Sequence, residues 1–327
     1  MKLQFPFIQL PLSYEADALA AEVAAIDEAF WRAHPQKFQG NSMLPLVAVN
    51  SDPANESFSG PMRPTQTLQS CPYLMQVIES FGAVVGRSRL MRLSGHAEVS
   101  SHVDQGYYWA ERVRVHVPIL TQPTVRFDCG GTTVNMAAGE CWIFDTWRPH
   151  NVINDAVDSR IHLVVDTVGG DAFWDLVAQG RPVPRPPGME AWLPRTVMPR
   201  GDARPALVCE TVNVPAVMTP WELNAQFGML FGEAEPHPQL ARVQEAARRF
   251  VRTWRSLWAR YGESAQGHSH FRASLDRFLA DMAASHPPIL LRNGVDLQST
   301  LRIRLEPSAV AGSGMAVLPP PGMSDRG

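Results

Sequence analysis

The sequence predicts a mainly β protein with helices before and after the β region, on three observations. Between residues 88 and 167, apolar and β-branched runs recur about every ten positions between turns, which is typical of an antiparallel sandwich or barrel of roughly eight strands. Apolar residues at helical spacing lie on both sides of that region. The 28 prolines argue against a long all-helical or solenoid chain.

The first 87 residues are predicted to form a strand and helix region that packs on the β core. Alternating apolar residues predict a strand, and the spacing of Leu19, Val23, Ile26 and Phe30 predicts a helix capped by Ser13. That strand is predicted over 3–11. A loop is predicted over 36–66 around a short strand at 46–49, and a further helix is predicted over 72–81.

After the core, predicted over 88–170, the chain is expected to change from loop to helix. The stretch 179–205 holds seven prolines and five arginines, so 171–212 is predicted to be a linker or wrapping arm. A capping box at Thr219–Glu222 and two apolar stripes predict a helical region over 213–306. Residues 307–327 are predicted to form a flexible tail.

Composition and charge exclude several classes of partner. Hydrophobic residues make up 45% of the chain and charged residues 19%, as in ordinary globular proteins, and the net charge of −3 gives no basic footprint for nucleic acid. No apolar run reaches the roughly 18 residues of a membrane helix. Four dispersed cysteines without a CxxC pair, and an N-terminal apolar stretch interrupted by Pro6 and Pro11, predict a cytoplasmic protein with reduced thiols.

One constellation in the β region suggests metal chemistry. His102 and Asp104 are two positions apart, so on a strand both side chains point to the same face. His150, on a later strand, can supply a third ligand. Two histidines and one carboxylate that leave three positions open form the facial arrangement of non-haem Fe(II) oxygenases. An HxD triplet alone is weak evidence, since such triplets occur by chance.

Arg160 strengthens this interpretation because it lies ten residues after His150, on the strand that follows. Its guanidinium fork suits the distal carboxylate of a dicarboxylic acid such as 2-oxoglutarate. The alternative is an ordinary ion pair with a surface acid.

The stretch from Arg92 to Asp166 resembles the aspartyl/asparaginyl β-hydroxylase family, which includes bacterial cis-hydroxylases of free proline. The matching text is RLSGHAEVSSHVD, RVRVHVPI, MAAGECWIFD, HNVIN and RIHLVVD, in the family's order. The resemblance implies a double-stranded β-helix, or jelly-roll, fold of the cupin-like kind. It also implies Fe(II)- and 2-oxoglutarate-dependent hydroxylation, in which 2-oxoglutarate and O₂ become succinate and CO₂.

The resemblance also assigns residues. His102, Asp104 and His150 match the iron ligands, Arg160 matches the arginine that holds 2-oxoglutarate, and Arg114 and His116 match residues that line the cosubstrate pocket. The peptide aspartyl hydroxylases of the family carry glycine at the carboxylate position. Asp104 therefore makes this chain resemble the free-amino-acid branch.

Three further residues are candidates for substrate contact: Arg92 as a receptor for a carboxylate, and Tyr108 and Trp147 as parts of the cavity wall. Structural pairing or core packing is the alternative for each. Outside the Arg92–Asp166 stretch no segment matches a characterised substrate site, so the identity of the substrate is left open.

The predicted function is hydroxylation of an amino acid, free or within a peptide, by an Fe(II)/2-oxoglutarate-dependent dioxygenase. Free proline or another free amino acid is the alternative within that class, and a non-catalytic metal-binding cupin-like module is the alternative outside it. A plain metal cupin has no need of the dicarboxylate contacts expected from Arg160, Arg114 and His116. The C-terminal helices are expected either to cover the barrel mouth or to form a homodimer.

Overall fold

The structure is a computed structural model that describes residues 1–34, 39–186, 192–283 and 287–312. The chain divides into two compact units. The first contains residues 1–104 and 109–213, and the second contains residues 105–108 together with the described residues from 214 onward. None of the described helices is both long and apolar enough to span a membrane.

The first unit contains the strands and the shorter helices. Its strands are β1 (Phe7–Tyr14), β2 (Arg32–Ala33), β3 (Asn41–Val49), β4 (Met62–Pro64), β5 (Val84–Leu93), β6 (Glu98–His102), β7 (Val113–Leu120), β8 (Val125–Cys129), β9 (Thr132–Val134), β10 (Glu140–Phe144), β11 (His150–Asn154), β12 (Arg160–Gly169), β13 (Arg181–Val183) and β14 (Arg195–Val197). Its helices are α1 (Ala16–Ala24), α2 (Gln66–Gln69), α3 (Pro72–Glu79), the short α4 (Tyr107–Ala110), which begins in the second unit, and α5 (Asp171–Ala178).

The strands form two sheets whose order identifies the fold. The larger sheet runs β13-β1-β10-β7-β12-β5-β3-β2, and β14 and β4 join it on β1 and β3. The smaller sheet runs β6-β11-β8-β9. The eight strands from β5 to β12 are therefore shared between two facing sheets, with β12 between β5 and β7 and with β11 between β6 and β8. This is the double-stranded β-helix, and it confirms the jelly-roll core and the roughly eight strands expected from the sequence.

Segments on both sides of the core extend the larger sheet. β1 pairs with β10 and β3 pairs with β5, so the N-terminal strands continue the sheet. β3 is longer than the predicted strand at 46–49 because a register shift between Pro45 and Val47 accommodates the proline. The Pro-rich stretch 171–212 contains α5, β13 and β14, and both of these strands pair with β1.

The predicted cap at Ser13 is wrong. β1 continues to Tyr14, and Glu15 is the N-cap residue of α1, which ends at Ala24 rather than near Phe30. The predicted helix at 72–81 is found as α3.

Aromatic side chains fill part of the space between the two sheets. Phe7, Phe127, Trp142 and Phe144 are all at most 4% exposed. The rings of Phe7 and Phe127 meet edge to face, with centroids 5.5 Å apart. This apolar cluster closes one part of the barrel interior, and the polar residues described below occupy another part.

The second unit is helical, with α6 (Pro220–Glu233), α7 (Leu240–Tyr261), α8 (His268–Ala283) and α9 (Leu297–Leu305). The predicted cap at Thr219 is confirmed, because its hydroxyl accepts from the Glu222 backbone N–H at 3.1 Å. The apolar stripe of α7 is buried, and the rings of Phe250 and Phe278 stack at 4.5 Å. Residues 308–310 are buried as well, and residues 313–327 of the predicted tail lie outside the described residues.

We expect Phe7→Ala to lower the free energy of unfolding by about 3–5 kcal/mol, because the truncation removes a fully buried ring and leaves a cavity. Urea unfolding followed by circular dichroism measures this change. Phe30→Ala is the matched control, since Phe30 is 57% exposed and should change stability little. Equal effects of the two substitutions would contradict the placement of β1 in the core.

Candidate metal and cosubstrate site

The inner face of the larger sheet carries an unusual row of polar side chains. In the pairing of β12 with β7, Val164 lies opposite His116 and Asp166 lies opposite Arg114. In the pairing of β12 with β5, Val164 also lies opposite Arg89. Directly opposed residues share a face of the sheet, so these side chains lie on the same side of it. The His116 ring contacts the core residues Phe127 and Phe144, so this face of the sheet is directed toward the barrel interior.

The predicted metal ligands converge across the smaller sheet. β6 and β11 are antiparallel, and their register places His102 directly opposite His150. Each of His102, Asp104 and His150 offers a ligand atom, and these atoms all lie within 4.8 Å of one another. In the described part of the chain, no other group of three His, Cys, Asp or Glu residues meets this criterion.

Backbone carbonyls orient both imidazoles. The Nδ1 atom of His102 lies 2.8 Å from the Ser100 carbonyl oxygen, and that of His150 lies 2.9 Å from the Arg148 carbonyl oxygen. If each Nδ1–H donates, the lone pair on each Nε2 is left for a metal. Burial, with the nearby His102, lowers the pKa of His150 to about 4, so its imidazole is neutral at pH 7 and ready to bind a cation.

The turn between β10 and β11 holds two of the three ligands. The Thr146 carbonyl oxygen accepts from the backbone N–H of Asp104 at 3.1 Å. The buried Asp145 carboxylate accepts from the Trp147 backbone N–H and from Arg148 Nε, both at 2.9 Å. This closes the turn that leads to His150. Asp145 is not among the residues predicted from the sequence, although an aspartate at the end of a strand and two residues before a backbone N–H that donates to it is a recognisable turn signal.

Arg114 joins Asp104, one of the predicted metal ligands, to the larger sheet. Its NH1 donates to Asp104 Oδ2 at 3.1 Å, and its Nε donates to Asp166 Oδ1 at 2.8 Å. Burial of Asp104 opposes its ionisation, but Arg114, His150 and His102 together outweigh that effect and hold its pKa below the ordinary value. The Asp104 carboxylate is therefore charged, and it lies beside the imidazoles of His102 and His150. The cosubstrate contact expected of Arg114 from the resemblance stays a prediction.

Arg160, His162 and His116 form a second buried polar group. An Arg160 NH2 lies 2.7 Å from His162 Nδ1, which in turn lies 3.3 Å from His116 Nδ1. Burial lowers the pKa of both histidines well below the ordinary value, and the charge of Arg160 adds to that effect. Both rings are therefore neutral at pH 7.

This group has hydrogen-bonding capacity that the protein leaves unused. Arg160 Nε, His116 Nε2 and His162 Nε2 are buried and have no hydrogen-bond partner among the described residues. Arg160 makes no ion pair with a described carboxylate either. This goes against the alternative that Arg160 forms an ordinary ion pair with a surface acid. A buried guanidinium beside two neutral imidazoles has the donors that an anionic dicarboxylate requires, so the residues present fit 2-oxoglutarate.

The three residues predicted to contact the substrate lie in different parts of the structure. Arg92 lies on the other face of β5, where its guanidinium pairs with Glu28 and stacks on the Trp31 ring at 4.3 Å. Trp147 is buried in the turn between β10 and β11. Tyr108 is buried and belongs to the second unit. Substrate contact by all three stays a prediction.

Taken together, the arrangement can hold a divalent cation and an anion. Two imidazoles and one carboxylate suit Fe(II), and they leave coordination positions for ligands that the protein does not supply. Arg160 with its two histidines supplies a separate anchor for a carboxylate.

Comparison with known proteins agrees with this site. The sequence model of the family described as Aspartyl/Asparaginyl beta-hydroxylase matches residues 15–169, a range that contains all three triad residues and Arg160. The resemblance found in the sequence is therefore confirmed for this part of the chain. At the level of the family, the match supports an oxygenase-type enzyme.

Solved structures give more distant likenesses. A 2OG-Fe(II) oxygenase family oxidoreductase from Burkholderia pseudomallei is 12% identical, with 47% of this chain and 80% of that chain covered and a TM-score of 0.35. A prolyl-4-hydroxylase from Pseudomonas putida is 15% identical, with 50% and 92% covered and a TM-score of 0.34. Because these identities and TM-scores are low, the fold assignment rests on the strand order described above.

We expect His150→Ala to lower the affinity for Co(II), a stable substitute for Fe(II), by more than roughly 100-fold, because a direct ligand is lost. Isothermal titration of the metal-free protein measures the change. His96→Asn is the matched control, since His96 is exposed and lies outside the triad. Wild-type affinity in the His150 variant would contradict the ligand assignment.

Arg114→Met should weaken Co(II) binding less, by roughly 10–100-fold, because it removes a partner of the ligand Asp104 rather than a ligand. The same titration measures it. An effect as large as that of His150→Ala would mean that the substitution disrupts the whole site.

Proposed function

We propose, from the family match over residues 15–169, that this protein is a non-haem Fe(II)/2-oxoglutarate-dependent dioxygenase that hydroxylates an amino acid, either free or within a peptide. The observation that carries the proposal is the presence, in one barrel, of a His-Asp-His triad and a buried Arg160 cluster that has no carboxylate partner among the described residues.

The proposal gives each group of residues a distinct task. His102, Asp104 and His150 would hold Fe(II), with both imidazoles fixed by backbone carbonyls. Arg160 would bind the distal carboxylate of 2-oxoglutarate, with His162 and His116 beside it. When bound, iron and 2-oxoglutarate supply the O₂-dependent oxidising chemistry that yields succinate, CO₂ and a hydroxylated product.

The protein's own contribution is positioning and charge balance. Arg114 neutralises part of the negative charge of Asp104 and Asp166, and it keeps the Asp104 carboxylate turned toward the triad. The Asp145 turn fixes the backbone on both sides of the site. Held in this way, the ligands need little rearrangement when a metal and a substrate bind, and such preorganisation lowers the barrier to reaction.

A non-catalytic cupin-like metal module is the competing function. Such a module would account for the triad. It would not explain why Arg160 and two neutral histidines are buried in the same barrel, which costs desolvation free energy. For this reason we favour the enzyme. Cytoplasmic localisation and a small-molecule or peptide partner belong to the same proposal.

Anaerobic titration of Fe(II)-loaded protein with 2-oxoglutarate tests the cofactor pair. We expect the weak visible charge-transfer band of an iron chelate, saturating with one equivalent of 2-oxoglutarate. Metal binding without such a band would favour the cupin-like module. If the band appears, release of succinate from a panel of amino acids and peptides then tests the reaction.

Arg160→Met should leave Co(II) affinity within about threefold of wild type and weaken 2-oxoglutarate binding by roughly 30-fold or more, since the ionic contact to the distal carboxylate is removed. The two titrations are run on the same protein sample. Unchanged binding of 2-oxoglutarate would refute the role given to Arg160.

A further inference from the structure

The exposed side of α6 in the helical unit carries no charged residue. Its exposed residues recur at helical spacing and are Trp221, Asn224, Ala225, Gly228 and Gly232. Trp221 is 67% exposed. The two acids of the helix are engaged elsewhere: Glu222 accepts from the Tyr107 hydroxyl, and Glu233 pairs with Arg292. Because the outer face of a helix in a globular protein is ordinarily polar or charged, this face calls for an explanation.

Gly228 and Gly232 lie one turn apart inside α6, where glycine disfavours the helix relative to alanine. Packing within the described residues does not require either glycine. A Cβ atom at each position would meet no heavy atom within 4 Å, and both backbones have angles that any side chain can adopt. The two glycines therefore leave a low surface on the helix, over which another helix can approach closely.

A groove of about 290 Å³ lies beside this surface, between α6 and α7. Its apolar lining comes from both helices and includes Phe227, Gly228, Phe231, Ala247 and Val251. The Phe227 ring meets the Phe278 ring edge to face at 5.5 Å and stacks on the Phe231 ring at 5.8 Å. The packing of the helical unit thus holds the groove open before any partner binds. An amphipathic helix can dock in such a groove through its apolar side chains.

The exposed side of α7 is basic. Among its 22 residues the exposed charged ones are Arg242, Glu245, Arg248, Arg249, Arg252, Arg255 and Arg260. Glu245 pairs with Arg248 and Arg252, but ion pairs at the surface contribute little. Arg248, Arg252 and Arg255 are spaced by four and three residues, so they form a row along the helix. Arg248 also lines the groove, which places the start of the row beside the apolar surface.

The α6/α7 face comprises the groove together with Trp221, Gly228, Gly232, Arg248, Arg252 and Arg255. Charge decides between two occupants of this face. A homodimer, one of the roles expected for the C-terminal helices, would pair the face with itself across a two-fold axis. Such a contact would bring two arginine rows together, and the exposed residues of α6 include no acid to compensate them. A partner that carries carboxylates beside apolar side chains complements both helices.

We propose that the α6/α7 face docks an amphipathic α-helix of another protein, whose apolar stripe is flanked by acidic residues. The apolar stripe lies over the two glycines and enters the groove, and Trp221 packs against it at the start of α6. The acidic flank pairs with the arginine row of α7. This docking function goes beyond the oxygenase function, since every residue that it uses belongs to the second unit.

Two synthetic helical peptides test the docking site on the full chain. Both are about 20 residues long, a length at which an alanine-rich helix forms in water, and both carry leucine at helical spacing along one face. One has glutamate beside the leucine stripe, and the other has lysine at the same positions. Fluorescence anisotropy of a labelled peptide measures binding. We expect the glutamate peptide to bind roughly 10-fold or more tightly than the lysine peptide.

Substitutions assign binding to the two parts of the face. Arg252→Glu should weaken binding of the glutamate peptide roughly 10-fold or more and strengthen binding of the lysine peptide, because the charge of the row is reversed at its centre. Gly228→Leu should weaken both peptides, since a large side chain then occupies the surface of approach. Arg302→Glu is the matched control and should change neither, because Arg302 is an exposed arginine of α9 outside the face that also pairs with a nearby glutamate.

Thermal unfolding separates docking from a structural role of the glycines. Gly228→Ala and Gly232→Ala should each raise the melting temperature of the free protein, because alanine favours the helix and its Cβ meets open space. Glycines that the fold itself required would give lower melting temperatures. This readout depends on neither metal, cosubstrate nor activity.

Several outcomes would overturn the docking site. They are lower melting temperatures in both alanine variants, no binding of the glutamate peptide, equal binding of the two peptides, and binding that survives Arg252→Glu or is lost in Arg302→Glu. A dimer in sedimentation that Trp221→Ala dissociates would show that a second copy occupies the face. A single-stranded RNA of about the same length that binds more tightly than the glutamate peptide, and is lost in Arg252→Glu, would show a nucleic-acid site instead. All of these leave the proposed oxygenase function standing.

Discussion

The antiparallel pairing of β6 with β11 is the constraint on which the site depends. Its register sets His102 opposite His150, and the backbone N–H of Asp104, just beyond β6, is held by the turn that precedes β11. A slip of one residue in this register would turn the histidines to opposite faces of the sheet. The pairing with β8 on the other side of β11 restrains the register further. The convergence of the three candidate metal ligands is thus a consequence of sheet geometry.

Charge compensation inside the barrel is the second organising element. Buried charges are tolerated only when they are paired or when a ligand completes them. Arg114 is paired twice, with Asp104 and Asp166. Arg160 and Arg89 lack carboxylate partners among the described residues, and Arg160 lies opposite Leu93, four residues along β5 from Arg89. Neither guanidinium pairs with a residue of the triad.

The apolar and polar parts of the interior serve different purposes. Phe7, Phe127, Trp142 and Phe144 form a packed aromatic cluster that stabilises the two sheets against each other. Phe127 and Phe144 also contact the His116 ring, and they thereby help to exclude water from the polar group around it. In such surroundings burial keeps the imidazoles of His116 and His162 neutral at pH 7.

The sequence by itself determined the core strands, because strand periodicity is a local signal, and it singled out His102, Asp104, His150 and Arg160 as candidate site residues. It also determined the cap at Thr219 and the main helices of the second unit. Only the tertiary structure decided which arginine of β5 faces the barrel. Arg89 and Arg92 are three residues apart on one strand, so they point to opposite faces, and the inward face is set by pairing with β12 and β3 rather than by residue type. The same holds for the Arg114–Asp104 pair and for the strands β13 and β14 within a Pro-rich stretch. Each of these depends on contacts between segments far apart in the chain, which a local pattern does not encode.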